Sequence, residues 1–117
     1  IFAHKKIITV QDYTLIGYGG GGFSQTEPDF EKFTKTNHAK ITGKKIILIT
    51  HAPPHKTKLD ELYKEHVGCK TFTKFIKQNN NTTLAISGHI HETAGKKDKI
   101  NKTTIINPGP HGQIIEV

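Results

Sequence analysis

Two histidine signals carry the chemistry this sequence can offer. They are Ile49-Thr50-His51-Ala52-Pro53-Pro54 and Ser87-Gly88-His89-Ile90-His91-Glu92, each placed where an apolar run stops. In an extended backbone His89 and His91, at i and i+2, point to one side while Ile90 points to the other. Two imidazoles can thus be aimed into one cavity, and His51 joins them if the two preceding runs are neighbours in a parallel sheet. Imidazole suits Zn, Fe, Ni and Cu, whereas carboxylate and water suit Mg and Mn. Three histidines alone therefore favour a borderline transition metal. The plainer alternative is that some of the 8 histidines in 117 residues are ordinary surface or hydrogen-bonded groups.

The elements that must position these residues can be read from hydrophobic periodicity. Lys45 to Thr50 and Thr82 to Ser87 are short, rich in β-branched residues and bounded by Gly or Pro, which predicts buried strands. Loops at such strand ends are where α/β folds keep their chemistry. Lys6 to Val10 and Tyr13 to Tyr18 read as two strands joined at Gln11-Asp12, and Thr103 to Asn107 and Gln113 to Val117 as two more. Gly19 to Gly22 lacks the Lys-Ser/Thr of a P-loop and the spaced glycines of a dinucleotide fingerprint, so it reads as a turn or site rim.

Thr26 is the expected cap of a helix running to about Asn37, with Pro28 in its first turn and Phe30 and Phe33 buried. Phe72, Phe75 and Ile76 have the three-and-four spacing of one buried face, predicting a helix over Lys70 to Gln78. A short helical stretch is expected around Asp60 to Glu65, inside the connection Ala52 to Gly68. Gly95 to Lys102 is expected to be a solvated loop or hairpin turn. Strands alternating with helices place the chain in the α/β class, as half of a layered sandwich.

Composition narrows the functional classes. The chain carries 17 basic residues against 10 acidic ones, a net charge of +7, and every basic residue is Lys. Sequence-specific nucleic-acid recognition usually employs Arg for bidentate contacts, so it is disfavoured. Lys still attracts anionic substrates or phosphate backbones without specificity. The single cysteine, Cys69, rules out an internal disulfide and fits a reducing, cytoplasmic setting. Nothing approaches the length of a transmembrane helix. The chain opens at Ile1 and contains no Met, which reads as a fragment, a split protein or an engineered piece. A hydrophobic content of 33% predicts an apolar face completed by another segment or chain.

Thr50-His51-Ala52-Pro53-Pro54, Gly88-His89-Ile90-His91 and Asn107-Pro108-Gly109, in this order, resemble the carboxy-terminal part of the calcineurin-like metallophosphoesterases. The similarity is to compact prokaryotic, particularly archaeal, members and runs along nearly the whole chain. It implies that residues 1–117 are the C-terminal half of a four-layer α/β/β/α sandwich with a dinuclear centre at the strand ends. By match of motif, His51 and His89 bind one metal and His91 the other, the two ions being Mn, Fe, Zn or Ni. A bridging hydroxide then attacks phosphorus in a phosphomono- or diester.

The departure from the family pattern matters as much. The Asp-x-His, the bridging Asp and the Gly-Asn-His-Asp segment with the catalytic histidine all belong to the part before this one, so no residue of this chain is expected to be catalytic. Asn37-His38 mimics the missing pair poorly, because Thr36 and Ala39 stand where a glycine and an acid belong. The implied partners are an N-terminal half of the same fold and a phosphoester. His55 is a candidate for facing substrate, and Asp60 for capping its loop or orienting a ligand. His111 is expected to support the Pro108-Gly109-Pro110 turn rather than to bind metal, and His4 and His66 carry no partner signal. The alternative is an inactive module that keeps the fold for protein interaction.

Overall fold

Four strands with alternating or continuous apolar patterns form the parallel centre of a sheet, as their β-branched content dictates. A computed structural model describes residues 5–19, 25–88 and 90–109. Its strands in chain order are β1 (Lys6–Val10), β2 (Tyr13–Tyr18), β3 (Lys45–Thr50), β4 (Glu61–Leu62), β5 (Glu65–His66), β6 (Thr82–Ser87), β7 (Lys97–Ile100) and β8 (Thr103–Ile106). Six of them make the main sheet, in the order β1-β2-β3-β6-β8-β7, while β4 and β5 pair apart from it. The pairs β2/β3, β3/β6 and β6/β8 are parallel, while β1 and β7 pair antiparallel at the two edges. Because every crossover steps the same way across the sheet, right-handed connections put all the helices on one face.

Those helices are α1 (Pro28–Thr36), α2 (His38–Ile41) and α3 (Lys70–Gln78). The core lies between them and the sheet. Ile16, Ile46, Leu48 and Ile105 from the strands meet Phe30, Ile41, Phe72, Phe75 and Ile76 from the helices, all buried. At its centre Phe30 stands edge-on to Phe72 at 4.9 Å, to Tyr18 at 5.2 Å and to Phe75 at 5.3 Å between centroids. This is the arrangement that aromatic quadrupoles favour.

The opposite face of the sheet is apolar too. Cross-strand partners share a face, and Ile8, Leu15 and Ile47 form one such row, Ile49 and Ile86 another. Leu15, Ile47, Ile49 and Ile86 are only half-buried there, and Ile8 is 48% exposed. Among the described residues no helix or second main sheet covers this row. Nor is any helix among them long and apolar enough to cross a membrane.

Two local expectations are corrected, and a third, for Gly95 to Lys102, holds in its hairpin alternative but gains a strand. The stretch around Asp60 to Glu65 is not helical but the hairpin of β4 and β5. Its turn residues Tyr63 and Lys64 have φ of 52° and 67°, the pattern of a type I′ turn. Glu, Leu and Lys favour helix locally, but the buried Asp60 anchors both ends of the segment and overrides that preference. The Gly95 to Lys102 region contributes the edge strand β7, closed onto β8 by a turn at Asn101-Lys102. The first helix has Glu27 rather than Thr26 as N-cap, with no side-chain cap bond, and its Pro28 supplies the preset first-turn φ. The strand expected over Gln113 to Val117 and most of the Gly19 to Gly22 run lie outside the described residues.

The hairpin turn offers room for improvement. Left-handed φ costs a side-chain-bearing residue roughly 1–2 kcal/mol, and Tyr63 is 88% exposed, so little packing is lost by replacing it. The double change Tyr63→Asn, Lys64→Gly is expected to raise stability by about 1 kcal/mol, read as an upward shift of the melting midpoint by about 4 °C. An unchanged or lower midpoint would contradict the turn assignment.

Candidate metal centre

The parallel register brings the two histidine loops to one edge. Thr50, the last residue of β3, pairs with Ser87, the last of β6, so the chain leaves both strands at the same level. His51 follows at once, its N–H donating to the Tyr18 carbonyl at 3.2 Å, and the Gly88 N–H donates to the His51 carbonyl at 3.3 Å. The backbone thus sets His51 beside the residue that precedes His89, as the parallel-neighbour condition required. His51 is exposed. His89 lies outside the described residues. His91 opens a 3-10 turn over His91–Thr93, of which its backbone alone is described.

Three loops are tied together behind these histidines. Thr93 Oγ1 lies 2.8 Å from the Leu59 carbonyl and 3.1 Å from the Ile90 carbonyl. The Asn107 amide donates to the Ile90 carbonyl at 3.0 Å and to Thr93 Oγ1 at 3.1 Å, while its oxygen accepts the Gly109 N–H at 3.1 Å. Asn107 is thereby the buried cross-brace that holds the 3-10 turn against the end of β8. Between the braced loops opens a cavity of about 320 Å³, lined by Ile49, Ile86, Ser87, Gly88, Ile90 and Asn107 among others. Ser87 Oγ is buried there and has no hydrogen-bond partner among the described residues.

The His51 loop is stiffened separately. Thr50 Oγ1 donates to the Ala52 carbonyl at 2.7 Å, and the Pro53 carbonyl accepts the Cys69 N–H at 2.9 Å. Pro53 and Pro54 hold the segment extended. Asp60, completely buried, caps the loop from inside: its carboxylate accepts from the backbone N–H groups of Lys56, Thr57 and Gly68 at 3.1, 2.9 and 2.9 Å. It also accepts from His66 Nδ1 at 2.6 Å. The capping role expected for Asp60 is what the structure has. His66, for which no partner was expected, is its fourth donor. Gly68 is required for space, since a Cβ there would lie 2.6 Å from the Pro53 carbonyl oxygen and 2.7 Å from Asp60 Cβ.

His55 sits at the rim of this loop, half-buried, its ring 5.8 Å from that of His66. It faces a groove lined with lysines rather than the strand-end cavity. Burial chiefly holds its imidazole below the ordinary value of 6.5; Lys70, His66 and Lys56 add to this and Asp60 opposes it. With the folded value depressed, the unfolded chain binds the extra proton first. The expected outcome is a loss of stability as pH falls below about 6.5, levelling off beneath the folded value. Chemical denaturation at pH values either side of 6.5 should show this slope in the wild type and a shallower one in His55→Gln. Asn37 and His38 are occupied locally: the Asn37 amide donates to the Phe33 carbonyl at 2.9 Å, and His38 begins α2.

Comparison with known proteins decides the lineage. The sequence profile described as calcineurin-like phosphoesterase matches residues 1–93. The chain belongs to the calcineurin-like phosphoesterase family. It is 31% identical over 120 residues to the uncharacterized protein MJ1162 of Methanocaldococcus jannaschii, a match covering 95% of this chain and 55% of that protein. Its fold is shared with the crystal structure of TT1561 of Thermus thermophilus, at a TM-score of 0.62 and 14% identity over 92% of this chain and 48% of that one. A further crystal structure superposes at a TM-score of 0.69 with 18% identity, over 91% of this chain and 44% of the other. The chain spans about half the length of the relatives it matches.

Members of this family are metal-dependent phosphoesterases that use divalent cations, and the chain has their mixed α/β architecture. The donor chemistry at the strand ends fits such an ion in part. His51 is an exposed residue at a braced strand end, and Ser87, at the end of the neighbouring strand, has a buried hydroxyl with no hydrogen-bond partner among the described residues. Among the described residues, however, no group of three or more His, Cys, Asp or Glu side chains could hold an ion.

Proposed function

We propose that this chain contributes the imidazole side of a two-cation phosphoesterase centre, with His51 and His89 as ligands of one ion and His91 of the other. The observation that carries the reading is the Gly88 N–H bonded to the His51 carbonyl, which joins the two histidine loops at the ends of adjacent parallel strands. Two divalent cations held there would polarise a phosphoryl oxygen and activate water at neutral pH. The chain's own part is to supply the imidazoles, brace their loops through Asn107 and Thr93, and line the strand-end cavity with the apolar Ile49, Ile86 and Ile90. The acidic ligands must come from elsewhere, because two close cations with imidazoles alone are under-compensated in charge.

Their source, in this reading, is the amino-terminal half of the fold, seated on the apolar sheet face that runs through Ile8, Leu15, Ile47, Ile49 and Ile86. The apolar area still accessible on such a face gains about 25 cal/mol per Å² on being covered. The test is to combine the chain with a polypeptide carrying that half and follow hydrolysis of a generic aryl phosphodiester in Mn(II), before and after chelation. Metal-dependent turnover by the mixture alone supports the reading; no gain over the separate halves opposes it.

A further inference from the structure

A cluster of lysines lies apart from the residues that line the strand-end cavity. Lys70, Lys74 and Lys77 lie at i, i+4 and i+7 of α3, so they form one stripe along the helix, about 10 Å long. Across from it stand Lys56 from the His51 loop and Lys99 from the edge strand β7. Together with His55 they line an open groove of about 680 Å³. All five lysines are exposed, and no carboxylate is among the groove's lining residues. The two acids nearest in sequence are turned to backbone donors. Asp60 is consumed by its loop, and Asp98 accepts the N–H groups of Lys58 and Lys99 at 2.9 and 2.8 Å.

Five like charges around one concavity repel one another, a cost that an anionic occupant removes. We propose that this groove binds the sugar-phosphate backbone of single-stranded nucleic acid without reading its sequence. The lining explains the limits of recognition. It contains no Arg to fork onto a base edge or phosphate and no Phe, Tyr or Trp to stack a base, its one ring being the half-buried imidazole of His55, so point charges dominate what is offered. A groove walled from two sides suits a strand rather than a flat lipid surface, and it has no apolar side chain exposed to enter a bilayer; Ile100, its aliphatic member, is buried. The proposal is independent of the metal-centre reading, and its test is run in EDTA so that failure of one leaves the other standing.

The probe is a fluorescently labelled mixed-sequence DNA strand of about 20 nucleotides, with anisotropy read at several salt concentrations. Five lysine contacts predict a slope of about −3.5 in log affinity against log salt, a loss of about 100-fold between roughly 50 and 200 mM. The triple change Lys70→Gln, Lys74→Gln, Lys77→Gln should weaken binding more than about tenfold and flatten the slope by about 2. A control of equal charge change, Lys32→Gln, Lys35→Gln, Lys40→Gln on the exposed side of the α1–α2 region, should leave both nearly unchanged. Circular dichroism confirms that each variant is folded. Wild-type binding that is absent or insensitive to salt overturns the proposal, as does an equal loss in the control. So does displacement of the strand by polyglutamate, or by phosphatidylserine vesicles, as effectively as by unlabelled strand at equal charge.

Discussion

Asp60→Ala is expected to destabilise the protein by about 4 kcal/mol, the largest effect of any single polar substitution in it. Asp60 is fully buried, and both carboxylate oxygens are used twice: Oδ1 by the Thr57 N–H and His66 Nδ1, Oδ2 by the Lys56 and Gly68 N–H groups. Truncation leaves backbone donors with neither carboxylate nor water to receive them, each worth about 1–3 kcal/mol. Relaxation of the loop recovers part of that sum. Asp60→Asn keeps one acceptor but turns an amide NH₂ toward two N–H groups, so it should cost about half as much. Thermal unfolding of the three proteins reads the order directly, at about 4 °C per kcal/mol for a chain of this size. A loss below about 1 kcal/mol for the alanine variant would show that the loop is held by something else. Because the same loop carries His51 and His55, its loosening should also raise exchange of the backbone amides between residues 53 and 68.

His51→Ala is expected to do the reverse: almost nothing to the fold and nearly everything to the chemistry. The hydrogen bonds that tie His51 to the neighbouring strand ends run through its backbone, with its N–H on Tyr18 and its carbonyl taking Gly88, and an alanine keeps both. The side chain is exposed, so the change in stability should be about 1 kcal/mol or less. On the reading proposed above, the same change would remove a ligand from the complemented centre. Groups that merely support ligands typically cost roughly 10–100-fold in metal affinity or activity, so loss of the ligand itself should exceed about 100-fold. Manganese content after gel filtration and hydrolysis of an aryl phosphodiester give independent readings. Full metal content and turnover in His51→Ala would remove this residue from the centre. His55→Ala is the companion variant, with metal content expected to stay at the wild-type level, because His55 lines the lysine groove and does not follow directly on the joined ends of β3 and β6 as His51 does.

Much of the frame was legible beforehand because it rests on periodicity. The apolar runs at Lys45 to Thr50 and Thr82 to Ser87 became β3 and β6 with those bounds, and Phe72, Phe75 and Ile76 turned the predicted face of α3 into the core. An apolar face left without a covering layer among the described residues was foreshadowed by the low hydrophobic content and is visible as the row through Ile8, Leu15 and Ile47. What periodicity could not carry was the segment from Asp60 to His66. Its residue types favour helix, yet it turns as a hairpin because one buried carboxylate collects donors on both sides of it. The edge strand β7 was missed for a related reason: a run dominated by lysine looks like solvent-exposed loop, and an edge strand is where such residues are tolerated.

By itself the sequence determined which side chains offer imidazole donors, which apolar runs would be the central strands, and which family's motifs the chain repeats, because residue type and spacing are covalent facts. Tertiary structure alone decided that His51 and Gly88 are hydrogen-bonded neighbours, that Asn107 braces the turn beginning at His91, and that lysines from three separate segments share one groove. The physical reason lies in the backbone. Every residue but proline offers the same N–H and carbonyl whatever its side chain. Which of them converge on Asp60 or Asn107 follows only once the sheet has set its register and the helices have closed on one face.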